Sequence, residues 1–219
     1  MGIEAECKQV SPYLLEKLKE YPDFAELFFN SQYLPDSPFW QEYTINPDNP
    51  DDIEYFNEFT NFVTETLEKL KENKPEEFKK LEADIPRIIE EGKGEYFDLD
   101  WTWRSVHFLL TGEDESVQPP FLVGENDEDH LPSINAVMAG REIEHEATYG
   151  LVRYLTADEV QQVAKALSKL SHTQMRERWK LRGWKEDSFD YLIEYKYKAF
   201  VRYYQDAAAK GSAMFLYLS

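Results

Sequence analysis

A single cysteine, Cys7, stands in 219 residues, which excludes an intramolecular disulfide and any cysteine-built metal cluster. No apolar run approaches the roughly 20 residues needed to span a bilayer. The opening Met-Gly-Ile-Glu-Ala-Glu has neither the basic start nor the apolar stretch of a signal peptide, so a cytoplasmic setting is expected. A Gly-rich phosphate loop and a Gly-x-Ser-x-Gly elbow are both missing, which removes two common signatures of nucleotide binding and serine hydrolysis. Positive charge is also scarce: 24 Lys+Arg against 43 Asp+Glu leave a net −19. Such a chain repels phosphate, so neither nucleic acid nor an anionic membrane surface is an expected partner.

Apolar material is present in quantity. Hydrophobic residues make up 42% and aromatics 15% of the chain, more than an intrinsically disordered protein carries, so a folded core is expected despite the charge. The charge is uneven. Residues 1–150 hold 35 acidic and 12 basic residues, whereas residues 151–219 hold 8 and 12. Between Lys19 and Lys69 there is no basic residue, and positions 20–68 hold 12 acids and 12 aromatics. The basic counterpart is compact: Arg176, Arg178, Lys180, Arg182 and Lys185. This layout has two readings. The basic segment can pack against the acidic half within one molecule, or the acidic half can form a negative docking surface on which aromatics anchor a basic partner protein and carboxylates steer it. The residues that would form such a surface are Asp23, Phe24, Trp40, Glu42, Tyr43, Asp51, Asp52 and Tyr55.

Along the chain, a strand-like Ala5 to Val10 precedes Ser11-Pro12, an N-cap and helix-start pair. Leu14, Leu15 and Leu18 mark one helix and Phe24, Leu27 and Phe28 a short second one. Prolines 35, 38, 47 and 50 describe an irregular acidic loop from Asn30 to Asp52. Phe56, Phe59, Val63, Leu67 and Leu70 have helical spacing, as do Phe78, Leu81 and Ile85 after Pro75, predicting an antiparallel helix hairpin that ends near Gly92. Asp98 or Asp100 is expected to cap a buried helix running from Trp101 to Leu110 and stopping at Gly112. Residues 113–132 read as a loop, and Gly150 to Leu155 as a strand. Thr156 and Glu159 form a capping box before the helix of Val160, Val163 and Leu167. A basic helix covers Thr173 to Arg182. Phe189, Ile193, Tyr197, Phe200, Tyr204 and Ala207 predict one last helix, and Met214 to Leu218 a closing strand. The predicted fold is α+β and mostly helical. A small sheet of terminal and central short strands carries packed helices, and an acidic helix hairpin is inserted at residues 30–95 of a single domain, 1–219.

Three blocks carry a family resemblance. Leu99-Asp100-Trp101, His107 and Leu109-Leu110-Thr111-Gly112 resemble a Leu-Asp, Trp, Leu-His, Leu-Leu-Thr-Gly core in the YfbM-like family of uncharacterised bacterial proteins. Tyr149-Gly150, Arg153-Tyr154-Leu155 and Glu159-Val160 are similar to its Tyr-Gly, Arg-Tyr-Leu and Glu-Val block, and Tyr203 to Leu218 to its closing helix and strand. With Val10-Ser11-Pro12 the likeness covers residues 1–20 and 97–219. Asn30 to Gly94 has no counterpart in it, and Ala139 and Thr148 stand where glycines are expected. The resemblance implies an α+β fold and a bacterial source but no established activity, so it transfers no functional residues. By analogy, small acidic bacterial families include inhibitor and immunity-type binders.

Candidates for chemistry are few. His107, on an apolar helix with Asp100 or Arg104 one turn away, can act as a general acid or base, or simply be a core histidine. Arg153, beside Tyr149 and Tyr154, can hold a carboxylate or phosphate in a fork, or neutralise one of the acids of the first half. The run Glu125, Asn126, Asp127, Glu128 and Asp129 ahead of His130 is dense in oxygen ligands but lacks the spacing of a calcium loop, and His145 has no second histidine at helical spacing. No cofactor or metal is expected. The leading reading is a non-enzymatic binding or immunity-type protein docking a basic partner. The alternative is a small-molecule enzyme or ligand-binding domain, which requires Asp100, Arg104, His107, Tyr149 and Arg153 to converge on one cleft.

Overall fold

A computed structural model of the chain describes residues 2–41, 45–115, 123–125 and 130–219. The elements run β1 (Ala5–Val10), α1 (Pro12–Glu20), α2 (Ala25–Asn30), α3 (Pro50–Asn73), α4 (Pro75–Leu81), α5 (Ile85–Gly92), β2 (Tyr96–Asp98), α6 (Trp103–Thr111), β3 (Val123–Glu125), β4 (Pro132–Ile134), β5 (Arg141–Ala147), β6 (Gly150–Leu155), α7 (Ala157–Leu167), α8 (His172–Leu181), α9 (Glu186–Tyr191), a π-helical segment Leu192–Tyr197, α10 (Lys198–Lys210) and β7 (Ala213–Leu218). The fold is α+β and mostly helical. Two compact units divide it: Met1–Pro12 with Tyr96–Ser219, and Tyr13–Glu95.

The first unit is built on a five-stranded sheet in the order β2-β1-β7-β6-β5. All its pairings are antiparallel, with β1 matching β7 from Ala5↔Leu218 to Val10↔Ala213. Because strand side chains alternate, Ala5 and Cys7 point to one face of β1 and join a core that includes Trp103, Leu109, Val163, Trp179, Phe200 and Met214. Three tyrosines bury their rings and direct their hydroxyls at backbone. Tyr203 accepts from Gln9 N–H and donates to Cys7 C=O, Tyr204 donates to Ala136 C=O at 2.6 Å, and Tyr197 donates to Leu167 C=O. Burial also pushes the Tyr197 hydroxyl up to about 12. The capping box of Thr156 and Glu159 forms at α7, and a second, Ser171 with Gln174, opens α8.

Two readings of this unit need correction. The helix expected to begin at Trp101 begins at Trp103, and neither Asp98 nor Asp100 caps it. Instead Asp98 accepts from Asp100 N–H and Asp100 from Thr102 N–H, which folds Asp100–Thr102 into a 3-10 turn. The single last helix is interrupted by the π-helical segment, whose wider turn still keeps Ile193, Tyr197 and Phe200 on the buried side. In the β5–β6 region the left-handed backbone falls at Gly140 (φ +100°) and Gly150 (φ +110°), so Ala139 and Thr148 meet no conformational demand there.

The Tyr13–Glu95 unit is helical, with 21 acidic and 9 basic residues. Its core is aromatic: Tyr33 packs on Phe39 and Phe59 at 4.9 Å each, Trp40 on Phe56 at 4.8 Å, and Phe59 on Phe62 at 5.0 Å. The stretch expected as an irregular loop contains 3-10 turns at Ser31–Tyr33 and Pro38–Gln41, which put Phe39 and Trp40 into that core. α3 starts as its sequence implies, with Asn49 accepting from Asp51 N–H and Pro50 in the first turn.

Two stability predictions follow from close packing. A Cβ on Gly92 would lie 2.3 Å from the Phe28 carbonyl oxygen and 2.8 Å from Ser31 Cβ. Helix propensity favours alanine there by about 1 kcal/mol, but a clash with backbone costs more, so Gly92→Ala is expected to lose about 1–3 kcal/mol in urea denaturation. Lys8 is fully buried in β1, its ammonium 5.8 Å from the Tyr96 ring. Burial lowers its pKa from 10.5 to about 7, against the opposing pull of Glu6. An unfolded lysine therefore binds the proton that the folded one has released between about pH 7 and 10.5, so this residue makes stability rise with pH across that window. Lys8→Met is expected to flatten that rise when denaturation is followed at pH 7 through 10.

Candidate functional site

The five residues required to converge do not share one cleft. His107 is 0% exposed inside α6, and its carbonyl accepts from Thr111 Oγ1. Arg104 lies on the outer side of the same helix, with Glu115 at 3.1 Å and its guanidinium 5.1 Å from the Trp103 ring. Asp100 pairs with Lys196 at 2.6 Å. Tyr149 and Arg153 do share a depression of about 230 Å³, with Val137, Met138, Glu142 and Tyr217. There the Arg153 fork is already divided between the Met138 carbonyl at 2.8 Å and Glu142 at 2.9 Å. That pairing joins β6 to β5 and to the segment before β5, which makes Arg153 a structural clamp. The convergence failed because helical and strand periodicity place a residue on a face of its own element and say nothing about which faces meet.

The acid and aromatic candidates separate by polarity. Phe24 is 0% exposed and Trp40 9%, because an aromatic ring in an acidic segment gains more from the unit's interior than from water. These two are corrected from contact residues to core. Asp23 and Asp51 are exposed, Asp52 is half-buried and Tyr55 is 39% exposed. Glu42 and Tyr43 lie outside the described residues. Asp23 holds Lys74 at 2.6 Å, and Asp52 accepts from Asn49 and from Asn46 N–H.

What the sequence reading missed is a stripe. On α3 the exposed acids are Asp51, Glu54, Glu58, Glu65, Glu68 and Glu72. Their spacing of 3, 4, 7, 3 and 4 places all six on one side of the helix. Phe56, Phe59, Val63 and Leu70 occupy the opposite side. A helix of 24 residues is about 36 Å long, and the carboxylates recur along it in two groups, Asp51 to Glu58 and Glu65 to Glu72, with the exposed Lys69 on the same side of the second. Beside its first turns a shallow depression is lined by Pro50, Ile53, Glu54, Asn57 and Glu58, with Ile53 36% exposed. The signal was present in the sequence as the polar complement of the apolar spacing.

The three arginines of the basic segment are occupied within their own unit, while Lys180 and Lys185 are exposed. Arg176 pairs with Glu186 and Asp190, Arg182 with Asp114 at 4.0 Å. Arg178 is 1% exposed and donates to the carbonyls of Leu109 at 2.9 Å and Pro132 at 3.1 Å. Leu109 sits in the last turn of α6, where carbonyls lack helical partners and the helix dipole favours a cation. Elsewhere, part of the acidic loop 125–130 falls outside the described residues, and no cluster of three His, Cys, Asp or Glu able to hold a metal stands among the described ones. Among them, no helix is long and apolar enough to cross a membrane.

The buried arginine yields a test of structural against binding roles. Arg178→Met removes the donor for two buried carbonyls and is expected to cost about 2–4 kcal/mol in chemical denaturation. Exposed Lys180→Met is expected to leave stability within about 0.5 kcal/mol.

No curated protein and no solved structure matches the chain. A family model matches residues 1–217, spanning both units, and bears the description Domain of unknown function (DUF1877). The YfbM-like blocks around Trp101, Tyr149 and Tyr203 are consistent with that match, and the chain belongs to this family.

Proposed function

We propose that the protein is a non-enzymatic binding protein, of inhibitor or immunity type, that docks a basic partner protein along the carboxylate line of α3. One observation carries the reading: six exposed acids share one side of a 24-residue helix whose other side is fastened into an aromatic core. A rigid helix side holding six carboxylates against one cation, Lys69, is net negative, and such a surface steers an oppositely charged partner and sets its register. Asp51 begins the row, and Ile53 and Tyr55 offer apolar contact near its start. The arginines at 176, 178 and 182 are engaged inside their own unit, which leaves the row available to a partner. Asp23 and the other acids of the unit extend the field around it. A lone, buried Cys7 suits a reducing, cytoplasmic setting.

The test is a comparison of the natural chain with Glu54→Lys/Glu58→Lys/Glu65→Lys, three exposed changes that leave the aromatic core intact. Immobilised on resin, the natural chain is expected to retain a basic protein at low salt and release it as NaCl rises through about 0.15 M, where charges are screened beyond about 8 Å. The triple variant is expected to retain at least tenfold less. Capture that ignores ionic strength, or equal capture by both chains, would sink the reading.

A further inference from the structure

The sheet-bearing unit holds a second feature, independent of the acidic stripe. A cleft of about 430 Å³ is lined by Trp101, Trp179, Trp184, Tyr191, Asp187 and Leu192, with Thr102, Ser105 and Ser188 at its edges. Trp179 is its floor, 3% exposed, stacked edge-on to Trp184 at 4.5 Å and fixed by Nε1–H donation to the Lys185 carbonyl. Trp101 and Tyr191 are left 68% and 54% exposed. Leaving an indole that exposed forgoes burial that the fold could otherwise use.

Its construction is unusual on both walls. Trp101 follows Asp100, one of two non-glycine residues with positive φ among the described residues, at +45°. A left-handed backbone there is held by the Asp98 and Thr102 hydrogen bonds, and it turns Trp101 out of the helix that its sequence would continue. Tyr191 and Leu192 lie where α9 passes into the π-helical segment, and π-turns concentrate at functional positions. Lys196 of that segment reaches Asp100 at 2.6 Å, both side chains about one quarter exposed. The ion pair thus ties the turn that carries Trp101 to the π-helical segment that follows Tyr191.

We infer that this cleft, with three indoles and a tyrosine around one carboxylate, binds a small organic cation bearing an alkylated ammonium head. Aromatic faces attract a cation within about 6 Å of the ring centroid, and an alkylated ammonium is hydrated weakly enough to enter an apolar cleft. Asp187 supplies the opposite charge and has no ion pair among the described residues. Rings in and beside the cleft already hold cations: Arg182 lies 5.9 Å from the cleft's own Trp184 and 4.8 Å from the adjoining Phe108, and Arg176 lies 4.5 Å from Phe189, which leaves Trp101, Trp179 and Tyr191 for a ligand. Both guanidiniums are matched by Asp114, Glu186 and Asp190, which leaves the Asp187 carboxylate for the ligand.

The probe is choline, set against its neutral isostere 3,3-dimethylbutan-1-ol, each titrated into the full chain with tryptophan fluorescence as the readout. Saturable binding of choline is expected, about tenfold tighter than the isostere. Trp101→Ala, at an exposed position that folding does not depend on, is expected to weaken choline at least tenfold. Asp187→Asn is expected to weaken choline and leave the isostere unchanged. Equal binding of the two probes would make the cleft a neutral apolar pocket, and no saturable signal would leave it without this ligand class; either result overturns the inference. Tighter binding of a trimethyllysine peptide than of choline would assign the head group to a polypeptide and overturn the small-molecule reading. Glu54→Lys/Glu58→Lys/Glu65→Lys is expected to bind choline normally, which keeps this test separate from the docking one.

Discussion

The pairing of β1 with β7 is the constraint on which the remainder of the structure depends. It joins residues about 200 positions apart, from Ala5↔Leu218 to Val10↔Ala213, and β1 also receives β2 on its other edge. Everything between Pro12 and Tyr96 is therefore a chain excursion between two adjacent strands, which is why a separate helical unit can be accommodated there without breaking the sheet. α10 reinforces the same strand. Tyr203 shares its hydroxyl between Gln9 and Cys7, and the Asp206 carboxylate accepts from the Gln9 side chain. Loop closure over such a span is costly, and it is offset only when the core behind β1 is complete. Lys8 is buried at this junction too, on the face of β1 opposite Ala5 and Cys7.

The two units resolve the same composition in opposite ways. In Tyr13–Glu95, rings and carboxylates alternate closely in sequence, but the rings turn inward into a network of edge contacts and the acids are left outside. The result is a charged helix face backed by an aromatic core. In the sheet-bearing unit, rings are held partly open around a cleft by a left-handed aspartate, a π-helical segment and the ion pair between them.

Local physics was legible in advance. The capping box at Thr156, the glycine stops at 112 and 211, the apolar spacing of Phe56 to Leu70 and the terminal strands all follow from interactions within a few residues of each other. The failures are equally specific. Trp101 belongs to a stretch whose apolar side chains cover nearly every side of a helix, which predicts burial, yet two aspartate side chains compete for the backbone there and delay the helix to Trp103. The last helix was read as continuous because a single extra residue per turn is invisible to a hydrophobic spacing of threes and fours. Phe24 and Trp40 were read as anchors on a surface, although nothing in a linear pattern says on which side of its own helix a ring will find company.

What the amino-acid order determined by itself, then, is the inventory of elements and the uneven charge: which stretches are helical, where they stop, and that the acids and rings of residues 20–68 must part. Each rests on contacts between near neighbours in the chain. Tertiary structure alone decided that Arg178 turns inward to two carbonyls, and that Trp101 stands open beside Trp179, Trp184 and Tyr191. Those outcomes are settled by competition for burial among residues distant in sequence, and a side chain's winning partner exists only once the whole core has assembled.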